Sequence, residues 1–195
     1  MLETLLQLDY DLFLFLNDIN SPFWDKLMLF ITHKYTWVPL YLGVTVYLFY
    51  RHKLKSAFFL YLGFILLVFI TDQSSVHLFK NVFERLRPSH DPLLEGLVHT
   101  PGSKGGKYGF VSSHAANVFG FAVYSALLFK NRIYSLLIFI WAAVVSYSRI
   151  YLGVHFPGDI LGGALLGAAA GFAVYAIFQI PFLKPDKKKK NTARY

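Results

Sequence analysis

Residues 157–182 read PGDILGGALLGAAAGFAVYAIFQIPF, and between Asp159 and Lys184 the chain carries no charge. A helix through such a stretch reaches the roughly 30 Å of a bilayer's hydrocarbon core at about 1.5 Å per residue. Gly163, Gly167 and Gly171 recur every fourth position, a small-xxx-small stripe that lets a second helix approach closely. That stripe is structural and is assigned no chemistry.

Upstream, further charge-free stretches occupy 35–50, 56–71, 115–129 and 133–148. Extended by the polar residues at their ends, they predict spans at about 35–51, 55–80, 112–130, 132–149 and 157–182. Buried helices of a soluble protein would need charged outer faces, and none of these has one. The composition agrees: 55% of residues are hydrophobic and 15% charged, against about 25% charged in a typical soluble domain. Disorder is excluded for the same reason. With no cysteine in the chain, disulfide frameworks and thiolate metal sites are excluded too.

The first 34 residues differ. Met1–Ile19 mixes leucine and phenylalanine with Glu3, Asp9, Asp11 and Asp18, which predicts an amphipathic helix lying in the interface. Ser21-Pro22 then suits the cap and first position of a short helix. That helix, merged with the first span, would leave a sixth crossing open. A cleavable signal peptide is not expected, because no basic region or small-residue cleavage site is present. The expected fold is thus an all-α polytopic transmembrane bundle of five spans, one membrane-embedded domain over 1–195, with interfacial helices at 1–34 and a basic tail at 184–195.

The net charge of +8 does not indicate nucleic acid. Six Lys/Arg and one acid follow position 183, against thirteen and ten before it, so the excess is largely a tail. Arg51, Lys53, Lys55, Lys130, Arg132 and the tail all fall on one side if the spans alternate. The positive-inside rule makes that side cytoplasmic. The 81–111 loop, rich in proline and glycine, is then outside.

Three clusters flank the outer ends of the spans: Lys80 to Arg87-Pro88, Ser112-Ser113-His114, and Ser148-Arg149 with His155 and Asp159. Grouped cations such as Lys80, Arg87 and Arg149 suit a phosphate, or else a rim meeting lipid headgroups. Ser112 looks like an N-cap, and the open amides behind it make an anion site. His155 and Asp159 stand at i and i+4, so the carboxylate can fix the imidazole tautomer; alone, the pair fits a structural hydrogen bond equally well. With His114 added, one imidazole can attack phosphorus while the other protonates the leaving oxygen. No HExxH or similar ligand pair appears among the seven histidines, so no metal site is expected. Asp72, deep in the second span, is eight residues before Lys80, about a quarter turn around an α-helix, and is expected to support it. His90 and His99 are candidates for touching substrate; His33, His52 and His77 are interfacial.

These clusters resemble the three-part signature of the type 2 phosphatidic acid phosphatase superfamily, written KxxxxxxRP, PSGH and SRxxxxxHxxxD. The first and third parts are complete here; the second keeps Ser112 and His114 but has Val111 and Ser113 for the proline and glycine. The resemblance covers about 55–182. It implies a helical bundle with its site on the non-cytoplasmic face and no cofactor. By position, His155 would form a phosphohistidine, Asp159 would orient it, and His114 would protonate the leaving group and later activate water. Lys80, Arg87, Ser112, Ser113 and Arg149 would hold the phosphate oxygens. Ser113 in place of glycine bears on substrate range more than on catalysis.

The expected function is a membrane phosphatase, bacterial and in the inner membrane, acting on a lipid phosphate at the bilayer edge. Its partners are that substrate and the surrounding lipids. Undecaprenyl diphosphate ranks first, followed by lipid A phosphate, phosphatidylglycerophosphate and phosphatidic acid. A non-enzymatic lipid carrier or scaffold is the rival class. Vanadate-dependent peroxidases use a similar anion cradle but are soluble and larger.

Overall fold

The computed structural model describes residues 2–179; the end of the fifth expected span and the basic tail lie outside them. The helices are α1 (Leu2–Asp18), α2 (Pro22–Thr32), α3 (Val38–Arg51), α4 (Leu54–Phe83), α5 (Ser113–Phe129), α6 (Arg132–Tyr151) and α7 (Pro157–Gln179). Among the described residues there is no strand, only an isolated bridge between Leu86 and Tyr108. Local chemistry sets the boundaries. Ser21 caps α2 by accepting from Trp24 N–H, and Asn131 caps α6 by accepting from Tyr134 N–H. Lys130 closes α5 in a left-handed conformation, φ 51°.

Helices α4, α6 and α7 are each long and apolar enough to cross a membrane, and α5 is a shorter apolar helix of 17 residues. Phe58, Ile65, Phe69, Leu136, Leu165 and Phe172 are exposed on them. In water such a belt would be a large apolar patch; in a bilayer it faces lipid, and the protein is integral to a membrane.

Helix α5 is the centre of the bundle. Val118, Phe121 and Ala122 pack against Ile138, Trp141, Ala142 and Val145 of α6. Tyr124 and Leu128 pack against Leu60 and Leu67 of α4 and Val174 of α7. The closest approach is to α7, along the glycine stripe. A Cβ on Gly167 would lie 2.1 Å from Ala116 O, and one on Gly163 2.4 Å from Ser112 O. The first turns of the two helices are therefore pressed together, and Ser112 N–H donates to Asp159 O at 3.0 Å.

The N-terminal helices do more than lie at an interface. Leu5, Leu8, Leu12 and Phe15 of α1 are exposed, but Phe13 is fully buried against Leu94, Ile150 and Phe156. Asn17, also buried, reaches the carbonyls of His99, Ile150 and Tyr151 at 3.0, 3.1 and 2.8 Å, and accepts from His99 N–H at 2.8 Å. Met28 of α2 packs with Tyr151, Leu152 and Val154. Both helices thus close over the end of the bundle where α6 turns into α7. The 81–111 loop, expected to be irregular, is a compact cap. Arg87 N–H donates to Lys107 O at 3.1 Å and Gly109 N–H to Arg85 O at 2.8 Å, with 3-10 turns at Pro88–His90 and Pro92–Leu94.

Candidate active site

The C-terminal ends of α4 and α6, the N-terminal end of α5 and the α6–α7 turn converge on a cavity of about 460 Å³. Lys80, Arg87, Ser113, His114, Arg149 and His155 line it. Ser112 and Asp159, both fully buried, sit directly behind. All eight residues expected from the motifs are thus brought to one place.

The end of α4 changes pitch. Ser75–Lys80 is π-helical, a wider turn found in short pieces and often at functional sites. It carries Lys80 toward α5, where Nζ donates to Ser113 Oγ at 2.6 Å; Ser75 Oγ is also 2.6 Å from that hydroxyl. The serine that replaces the family glycine therefore points its side chain at Lys80. Ser113→Gly is expected to change kcat/KM by no more than about 150-fold, since one hydrogen bond to a charged group is worth about 1.5–3 kcal/mol at most. A larger loss in steady-state assays would mean the hydroxyl has a role of its own.

Asp72 supports Lys80 through its charge, without a hydrogen bond. The π-turn intervenes, and Asp72 Oδ1 accepts instead from Asn117 Nδ2 at 3.1 Å, while Thr71 bonds the other end of that amide. Asp72 lines the same cavity without bonding Lys80.

Arg87 is anchored by Nε to Tyr108 O at 3.1 Å, and Arg149 by Nη1 to Thr32 Oγ1 at 2.6 Å. Arg149 Nε is buried without a hydrogen-bond partner among the described residues. An orphaned charged donor is costly unless something anionic meets it. Ser112 Oγ accepts from Ala115 N–H, which leaves the N–H groups of Ser113 and His114 open at the helix end.

His155 Nδ1 lies 3.3 Å from Asp159 Oδ2, and the ring also bonds the Gly109 backbone. With Nδ1 facing these acceptors, Nε2 is the nitrogen left without a proton. Burial holds this imidazole well below the ordinary histidine range, and Arg87, Arg149 and Lys80 push the same way. The ring is uncharged at neutral pH. Unfolding returns it to an ordinary value near ~6.5, so below that pH the unfolded chain takes up a proton that the folded chain refuses. This contribution to stability is present above about pH 6.5 and is lost as pH falls, at about 1.4 kcal/mol per unit. Thermal unfolding between about pH 7.5 and about pH 5 should decline less steeply in His155→Gln than in the wild type. Equal slopes would contradict this account.

His99 does not line the cavity: its Nε2 is 2.7 Å from Asp25 Oδ1, fastening the 81–111 loop to α2. His90 faces a separate cavity of about 530 Å³ and Gly105 O at 3.3 Å. Sequence reasoning missed Thr32, Lys34, Trp37 and Tyr41, which line the site from the N-terminal side, and Asn117 from α5. Of these only Asn117 had a local signal, one turn beyond His114. An apolar cavity of about 390 Å³ between α3 and α4 shares Tyr41 and Asn117 with the polar one.

An apolar bundle with a cationic pocket at one end of its helices is the frame of an integral membrane phosphatase. The PAP2 superfamily profile matches residues 57–182, and the chain belongs to that superfamily. It is a lipid phosphatase. The chain is 39% identical to the lipid A 4'-phosphatase of Porphyromonas gingivalis, over 91% of this chain and 75% of that one. It is 38% identical to the lipid A 4'-phosphatase of Bacteroides thetaiotaomicron, over 91% and 80%. An undecaprenyl-diphosphatase of Sulfolobus acidocaldarius is 30% identical over 83% and 74%. The crystal structure of a transmembrane PAP2-type phosphatidylglycerolphosphate phosphatase from Bacillus subtilis superimposes with a TM-score of 0.67 at 25% identity, covering 97% of this chain and 89% of that one.

Proposed function

We propose that this protein is a lipid A phosphatase that removes the 4'-phosphate, a monoester, through a phosphohistidine. The observation that carries the substrate is the similarity to two lipid A 4'-phosphatases over nine-tenths of the chain. This reverses the order expected from the motifs, which put undecaprenyl diphosphate first. The motifs read the phosphate and not the rest of the lipid. Thr32, Lys34, Trp37 and Tyr41 lie outside the 57–182 match and line the cavity, so they are where headgroup selection belongs.

In the reaction, Lys80, Arg87 and Arg149 grip the phosphate with the open amides of α5. The His155 Nε2 lone pair forms the N–P bond as the ester P–O bond breaks, and protonated His114 gives its proton to the departing sugar oxygen. His114 then takes a proton from water, whose oxygen attacks phosphorus and frees His155 with release of phosphate. The proposed cycle asks for no metal, since Lys80, Arg87, Arg149 and the open amides of α5 meet the charge of the phosphate. The apolar cavity between α3 and α4 takes a lipid tail.

Five crossings, α3 to α7, fit best, because α1 and α2 both pack around the site end through Phe13, Asn17 and Met28. With the basic hairpins and tail cytoplasmic, the site opens on the periplasmic face of an inner membrane. The test is phosphate release by the purified protein, with chelator present, from lipid A, undecaprenyl diphosphate, phosphatidylglycerophosphate and phosphatidic acid. Lipid A should be hydrolysed at least about tenfold faster than the others, a discrimination of about 1.4 kcal/mol. Preference for undecaprenyl diphosphate would restore the motif-based ranking. Release from none would favour a scaffold.

A further inference from the structure

The carboxylate behind His155 is not held by its own helix alone. Asp159 Oδ2 faces His155 Nδ1 and accepts from Phe156 N–H at 3.0 Å, while Oδ1 accepts from Arg85 Nη1 at 3.1 Å. Arg85 extends its other amino group, Nη2, to Asp9 Oδ2 at 2.7 Å. Asp9 Oδ1 in turn accepts from Gly158 N–H, in the first turn of α7, at 2.7 Å. The guanidinium also lies 4.2 Å over the Phe156 ring. Arg85 is thereby fixed on three sides: by two carboxylates and by the residue next to His155.

We infer that Arg85, itself held by Asp9, is a positioning residue for His155, acting by fixing which oxygen of Asp159 the imidazole meets. A guanidinium is a rigid planar fork and can serve two carboxylates at once, which an ammonium on a flexible stem does poorly. Remove it, and Asp159 keeps a buried oxygen with no partner and can turn its other oxygen to the ring. Asp9 and Asp159 would then also face each other without the cation between them. The consequence falls on the chemical step. As the His155 Nε2 lone pair forms the N–P bond, positive charge appears on the imidazole, and a misdirected carboxylate stabilises it less. The inference rests on the phosphohistidine reading above. It adds to it a residue from an unspecified position of the first motif and another, Asp9, from outside the 57–182 match.

The test compares Arg85→Ala, Arg85→Lys and Asp9→Asn with the wild type, measuring kcat, KM and thermal unfolding together. The substrate is whichever phosphomonoester the wild type hydrolyses, soluble p-nitrophenyl phosphate included, so a wrong lipid assignment does not disturb it. In Arg85→Ala, kcat should fall about 10- to 100-fold, the range for groups that orient a reacting side chain, with KM within about twofold. Millimolar guanidinium should restore part of that loss, Arg85→Lys should lose less, and Asp9→Asn should lose kcat in the same direction. Wild-type kcat in a folded Arg85→Ala, with only the unfolding temperature lowered, would reduce Arg85 to a tether and overturn the inference. So would a loss confined to KM. If Arg85→Ala does not fold, unchanged kcat in both Arg85→Lys and Asp9→Asn overturns it equally. A wild type inert to every phosphate ester would sink the proposed function and this inference together.

Discussion

His155→Ala is expected to lower kcat by about 10⁴-fold or more, the scale seen when an enzyme loses its nucleophile, while the protein stays folded. The fold should survive because Asp159 keeps Arg85 and the Phe156 amide as partners. The vacated space adjoins the cavity that His155 already lines. His114→Ala makes the informative contrast. Its proposed work is to protonate a sugar oxygen, so an ester with a good leaving group should lose far less than lipid A does. His155→Ala should be equally inactive on both, because no leaving group replaces the attacking nitrogen. Acid-quenched protein should carry an acid-labile, base-stable phosphate in the wild type and none in His155→Ala. A residual rate within tenfold of wild type would exclude His155 as the nucleophile.

Gly167→Ala should have the largest effect on stability. The added Cβ would sit 2.1 Å from Ala116 O and 2.8 Å from Gly120 N. These are backbone atoms within α5 and cannot swing aside as a side chain would. Overpacking costs about 1–3 kcal/mol when side chains can adjust, so a loss of about 3 kcal/mol or more is expected, out of a total of about 5–15 kcal/mol. Gly43→Ala is the control, since a Cβ there meets nothing within 4 Å, and its effect should lie within about 0.5 kcal/mol. Thermal unfolding and size-exclusion profiles in one detergent compare the two; equal midpoints would contradict close packing of α7 on α5. Activity should fall with stability. Shifting α7 moves Asp159 away from Ser112, to which it is joined through the backbone.

The parts of the site that the sequence revealed are those whose geometry is local. His155 and Asp159 are a turn apart, Ser112 announces a helix start, and Lys80 and Arg87 follow one another out of a span. The spans at α4, α6 and α7 were legible because charge-free length is itself local. What stayed hidden depends on docking. Nothing in residues 1–34 marks Asp9 as the partner of Arg85, or Thr32 as the partner of Arg149, until α1 and α2 are folded over the bundle. Asp72 was expected beside Lys80 on an α-helical pitch; the backbone widens at Ser75–Lys80, and the carboxylate acts on the ammonium through charge and not through a hydrogen bond. Substrate choice was the least legible, because in the proposed reaction the motif residues meet only the phosphate. Thr32, Lys34, Trp37 and Tyr41 line the cavity from outside the signature.

Asn17 ties the first helix of the chain to the turn before the last. Its bonds to the Ile150 and Tyr151 carbonyls, at the C-terminal end of α6, span 133 and 134 positions. Contacts that distant form late, since a long loop must close first. Chains are made N-terminus first, so α1 must wait through the synthesis of five further helices before its amide finds those carbonyls. A nascent chain therefore displays Lys80 and Arg87 while it still lacks His155, and its lid is unfastened until α6 is finished.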